Sequence, residues 1–81
     1  MIRARVHVSL KKSVFDPQGR TIHEALGSLG YAAVADVRAG KFFDLQLETA
    51  DAAAAKAMAE EMARRVLSNP VIESFTVELL S

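Results

Sequence analysis

From residue 2 to residue 10 the chain alternates without a break: Ile2, Ala4, Val6, Val8 and Leu10 are apolar, and Arg3, Arg5, His7 and Ser9 are polar. A period of two sustained over this stretch predicts a half-buried strand, one face packed and the other wet. The next boundary is Asp16-Pro17-Gln18-Gly19. Asp16 can accept a backbone N–H as a helix cap, and Pro17 suits the first helical position, where its missing donor costs nothing. Ile22, Ala25, Leu26 and Leu29 then recur at helical spacing, and Gly30 stands where a left-handed C-cap belongs. A helix is predicted over 17–29.

Residues 34 to 48 read as two strands joined by a tight turn at Ala39-Gly40-Lys41, with Phe43, Leu45 and Leu47 alternating against Asp44, Gln46 and Glu48 beyond it. Phe42 adds an aromatic to the polar face. Thr49 and Asp51 compete to cap a second helix over 51–67, rich in Ala, Glu, Lys, Met and Arg. Ala55, Met58, Ala59, Met62 and Val66 form its expected buried stripe, and Glu60 with Arg64 an i,i+4 ion pair on its wet side. Ser68-Asn69-Pro70 ends it. A last strand is expected over 71–80, with Val71, Phe75, Val77 and Leu79 on one face; Ile72 and Leu80 are apolar residues on the other. The order strand, helix, strand, strand, helix, strand is the ferredoxin-like α+β arrangement, a four-stranded antiparallel sheet with two helices on one face. Residues 1–81 are expected to form a single domain.

Composition changes this picture in one respect. The 51% hydrophobic fraction is inflated by fourteen alanines, which leave twenty-seven larger apolar side chains among 81 residues. That is a thin core, and chains below about 70–80 residues commonly gain stability by oligomerising. No cysteine is present, which removes disulfides, thiolate metal sites and thiol nucleophiles together. Ten basic and ten acidic residues cancel, which argues against a nucleic-acid or anionic-membrane binder. The cancellation conceals a split: residues 1–41 hold seven Lys/Arg and three Asp/Glu, and residues 42–81 the reverse. No apolar run approaches the ~20 residues needed to span a bilayer, and Met1-Ile2-Arg3-Ala4-Arg5 lacks the apolar block of a secretory signal. The expected setting is the cytoplasm.

Candidate chemistry is sparse. His7 on the first strand and His23 in the first helix have no companions at metal-ligand spacing, and both read as solvated or edge histidines. The four glycines form neither a P-loop nor a dinucleotide fingerprint. The amides behind Asp16 could hold an anion, but the aspartate competes for them, so a structural cap is the reading adopted. One aromatic, Phe42, among mixed charges makes a poor base-stacking platform. No nucleophile–base pair supports an independent enzyme. These residues leave open a regulatory domain that holds a small ligand at a dimer interface.

Longer motifs narrow the field. Val8-Ser9-Leu10-Lys11, then Val14-Phe15-Asp16-Pro17-Gln18-Gly19, Ala25-Leu26, Leu29-Gly30, Asp36-Val37-Arg38 leading to Gly40-Lys41, and Asn69-Pro70-Val71-Ile72-Glu73 together resemble the PurS family over essentially the whole chain. PurS is the small subunit of phosphoribosylformylglycinamidine synthase, a glutamine-dependent, ATP-consuming C–N ligase of purine synthesis. Ala39, Phe42-Phe43 and the alanine-rich second helix are the departures. The resemblance implies an accessory chain without catalytic, cofactor or metal residues of its own. ATP, magnesium and glutamine would be handled by a large synthetase subunit and a glutaminase subunit. The small chain, as a homodimer or tetramer, would bridge them and help ammonia pass. Asp16, Pro17, Gly19, Arg38, Gly40, Lys41 and Phe42 are the candidate partner contacts.

Overall fold

A computed structural model describes residues 1–80. The strand β1 (Ile2–Leu10) is followed by the helix α1 (Pro17–Ser28), the strand β2 (Gly40–Leu47), the helix α2 (Ala52–Met62) with a π-helical turn over Ala63–Leu67, and the strand β3 (Glu73–Leu79). The sheet has three strands in the order β2-β1-β3, both pairs antiparallel. The alternation of β1 does what it predicts. Ile2, Ala4, Val6 and Val8 are buried, and Val6 lies opposite Phe43 on one side and Val77 on the other.

This corrects the four-stranded ferredoxin-like expectation. Residues 34–39 do not pair as a strand, and several of their backbone groups are bonded elsewhere. The Val34 amide donates to the Tyr31 carbonyl, and the Val34 carbonyl accepts from His23 Nε2 at 2.9 Å. The Val37 amide donates to Asp36 Oδ1 at 2.9 Å and the Ala39 amide to Asp16 Oδ2 at 2.7 Å. With three amides and one carbonyl of the segment diverted in this way, its alternation of ladder bonds is broken.

The helices also part company. Ala55, Ala59 and Ala63 are fully buried, and Ala59 and Ala63 join the cluster of Ala4, Val6 and Val8. Alanines at intervals of four let α2 lie close to the sheet. The stripe keeps the expected Ala55 and Ala59 but departs at its large members: Met58 is 40% exposed and Val66 78%, while Leu67, the last residue of the π turn, packs on the core. Ser68 stabilises that turn by donating both its amide (2.9 Å) and its hydroxyl (2.8 Å) to the Ala63 carbonyl. The ion pair on this helix joins Glu61 and Arg65 at 3.2 Å, one residue along from the expected pair.

The helix α1 lies off the sheet. Ile22, on its apolar stripe, is 40% exposed, and Leu29 just past its end is 74% exposed. The chain measures 48 × 26 × 13 Å with a radius of gyration of 15.9 Å, against about 12 Å expected for a compact domain of this length. Gly30 takes φ 97°, the left-handed value predicted for the helix end.

Candidate functional site

The candidate residues were predicted at two places, a corner at 16–19 and a turn at 38–41. The fold joins them. Asp16 caps α1 by accepting from the Gly19 amide at 3.0 Å through Oδ1, and reaches 23 residues onward to accept from the Ala39 amide through Oδ2. Its side chain is buried, and those two amides, the Gly19 bond foremost, hold the carboxyl below its ordinary range. Gly19 is buried beneath the crossing segment. A Cβ there would overlap the Val37 carbonyl oxygen and lie 2.6 Å from Asp16 Oδ2, so the close approach requires glycine. Pro17 opens α1.

Arg38 ties the corner to the end of β1. Its Nη2 donates to the Lys11 carbonyl at 3.0 Å and to the Val14 carbonyl at 2.8 Å. Gly40 begins β2 opposite Ser9. Lys41 Nζ lies 3.8 Å from Glu73 Oε2, linking β2 to β3. Phe42 belongs to a different surface, the face of the sheet opposite α2. There the Arg5 guanidinium stands 4.5 Å from its ring centroid and the His7 ring 6.3 Å away. Arg5 Nε also reaches Asp44 Oδ1 at 2.8 Å, an ion pair that raises the Arg5 pKa and lowers that of Asp44.

Three residues at the corner were not singled out. Phe15 is 64% exposed; Arg20 pairs with Glu24 at 3.1 Å. His23, expected as a solvated or edge histidine, is half-buried, with Nε2 2.9 Å from the Val34 carbonyl oxygen. With Asp36 and Arg38 they line a cleft of about 500 Å³ between α1 and the crossing segment. Spacing carries no sign of it, because α1 and the crossing segment are brought together by tertiary contacts, Asp16 with Ala39, Gly19 with Val37 and His23 with Val34. Among the described residues no group of three or more His, Cys, Asp or Glu is placed to hold a metal ion, and no helix is long and apolar enough to cross a membrane.

An exposed apolar helix face beside a rigid, hydrogen-bonded corner defines a small α+β interaction module, since uncovered apolar patches of this kind mark contact surfaces. Residues 3–81 match the profile of the PurS family, described as phosphoribosylformylglycinamidine (FGAM) synthase. The Bacillus subtilis FGAM synthase subunit PurS is 42% identical over 79 residues, which cover 98% of this chain and 93% of that protein. The crystal structure of Methanocaldococcus jannaschii PurS, one of the subunits of formylglycinamide ribonucleotide amidotransferase, superposes with a TM-score of 0.88 at 36% identity, covering 100% of this chain and 98% of that one. A chain in the structure of PurLQS from Thermotoga maritima gives a TM-score of 0.88 at 28% identity over 98% of this chain and 96% of that one. The chain belongs to the PurS family.

Proposed function

We propose that this chain is the small accessory subunit of a cytoplasmic FGAM synthase, bridging the glutaminase and the large synthetase and supporting ammonia transfer between them. The partners carry the chemistry: formylglycinamide ribonucleotide, glutamine and ATP become formylglycinamidine ribonucleotide, glutamate, ADP and phosphate. What carries the reading is the PurS match over residues 3–81, together with a Thermotoga relative in a PurLQS structure. The surfaces suit the role. The Asp16–Gly19 and Arg38–Lys41 segments form one corner for a partner to meet, and Phe42 presents a second surface.

The same reading includes self-association as a homodimer. Ile22 and Leu29 lie exposed on an apolar face of α1, and a second copy of the chain offers apolar surface to cover it.

The test is reconstitution. Purified chain mixed with the synthetase and glutaminase subunits under ADP, Mg²⁺ and glutamine should co-elute as one complex, and separate elution would refute the assignment. If Arg38→Ala with Lys41→Ala left assembly and amidotransferase activity intact, the corner would lose its role.

A further inference from the structure

We propose that the outer side of α2 is a second self-association surface, on which Met58, Met62 and Val66 meet the same residues of another copy of the chain with the two helices antiparallel. The contact is separate from the α1 face and depends neither on that face nor on the subunit role.

The surface consists of two rows. Met58, Met62 and Val66 follow one another at intervals of four and, with Glu61 and Arg65, line a shallow groove of about 610 Å³. Ala55, Ala59 and Ala63 take the sheet side of α2, so Met58 and Val66 stay exposed and Met62 half-buried between them. In a regular α-helix a row at this spacing drifts by about 40° at each step. Here the π turn takes the drift back. The Ser68 amide reaches five residues to the Ala63 carbonyl at 2.9 Å, and the slower winding of such a turn returns Val66 to the line of Met58 and Met62. The result is a straight apolar ridge that its own chain leaves open to water.

The second row selects the occupant. Glu61 and Arg65 run beside the ridge, the acid toward the helix N-terminus and the base toward its C-terminus, and pair with each other at 3.2 Å. A row of balanced charge favours neither an acidic nor a basic partner; it matches a surface on which the order of charges is reversed. The same row, turned end for end, has that order. A two-fold axis across an antiparallel pair, passing near Met62, sets Met58 of each copy against Val66 of the other and the two Met62 side chains against each other. It also keeps both charged rows on one side and brings Glu61 of each copy toward Arg65 of the other. The two intrahelical pairs then join into a ring of alternating charge, so no charge is covered without a partner. From Met58 to Val66 the ridge is about 12 Å long, and so short a contact makes a weak association that builds up as concentration rises.

The experiment is sedimentation equilibrium of the purified full chain over a range of concentrations. Met58→Ser with Val66→Ser changes two exposed residues; it should leave the circular dichroism spectrum as it was and weaken the concentration-dependent association by about tenfold. Glu61→Arg and Arg65→Glu each line the row with like charges, so each variant alone should associate several-fold more weakly than the wild type. Mixed in equal amounts, the two should recover association as a heterotypic pair. A folding defect cannot produce that rescue. Unchanged association of the Met58→Ser, Val66→Ser chain would overturn the proposal, and so would failure of the two charge variants to rescue each other. Variants that associate like the wild type but no longer join the reconstituted synthetase–glutaminase pair would give the face to a different protein and overturn it as well. The charge rescue should persist in chains that also carry Ile22→Ser with Leu29→Ser, so a failure of the α1 contact is read separately from a failure of this one.

Discussion

The two halves of this molecule are held together by different kinds of interaction. In the half made by the sheet and α2, the chain is fixed by burial: Ala4, Val6, Ala55, Ala59 and Ala63 have no exposed surface. In the half made by α1 and residues 29–39, only Asp16 and Gly19 are buried, and the path of the chain is set by hydrogen bonds that converge on one carboxylate and one guanidinium. Packing is non-directional and tolerates small shifts; a polar corner depends on particular atoms. The first half should therefore respond to substitution by losing global stability, and the second by losing local geometry and partner contacts.

The largest effect is expected at the centre of the packed half. Val6→Asp would bury an unpaired charge between β2, β3 and α2, destabilise the chain by about 4 kcal/mol or more, and leave little folded protein by circular dichroism. Gly19→Ala should cost about 1–3 kcal/mol, because the added methyl drives into the Val37 carbonyl and the Asp16 carboxylate. Amide exchange should then quicken in α1 and residues 36–39 more than in β1, and uniform acceleration would show that the halves are one cooperative unit.

The third prediction concerns acid. Asp16 has a folded pKa below its unfolded value, so its contribution is fully present above the unfolded pKa and is lost as pH falls through the lowered folded one. Destabilisation from this group should thus begin below about pH 4, and Asp16→Asn should flatten that part of the curve while weakening the corner at neutral pH. The smallest effect on the isolated chain is expected for Ile22→Ser with Leu29→Ser, within about 0.5 kcal/mol. The same pair should shift sedimentation toward monomer. A large loss of stability in the monomer would mean that α1 packs on its own sheet.

The halves also differ in how far they could be read in advance. β1, the Asp16 cap, α1 and the alternation of β2 are local patterns, and the structure follows them. On α2 the expected stripe is right at Ala55 and Ala59, which are fully buried, and wrong at its large members: Met58 and Val66 are exposed, and the small Ala63 takes the next place against the sheet. The missing strand was hidden by distance. Residues 34–39 have an acceptable strand composition, and what diverts them is a carboxylate 23 residues upstream. Of the candidate contacts, the motifs marked Asp16 and Arg38, but that they share one site with Phe15 and Arg20 depends on that same distant bond.

The place of β1 in the sheet has a consequence for how the chain must fold. It is the earliest strand in the sequence and the central one in space, paired with β2 on one side and with β3 at the far end of the chain on the other; the Leu80 amide returns to the Arg3 carbonyl at 2.9 Å. On a ribosome, Val6 and Val8 would emerge long before either neighbour, and the second pairing cannot form until some seventy residues later. Such long-range closure makes for slow folding. The first strand made is the last to be enclosed, and during synthesis it is the segment most in need of shelter.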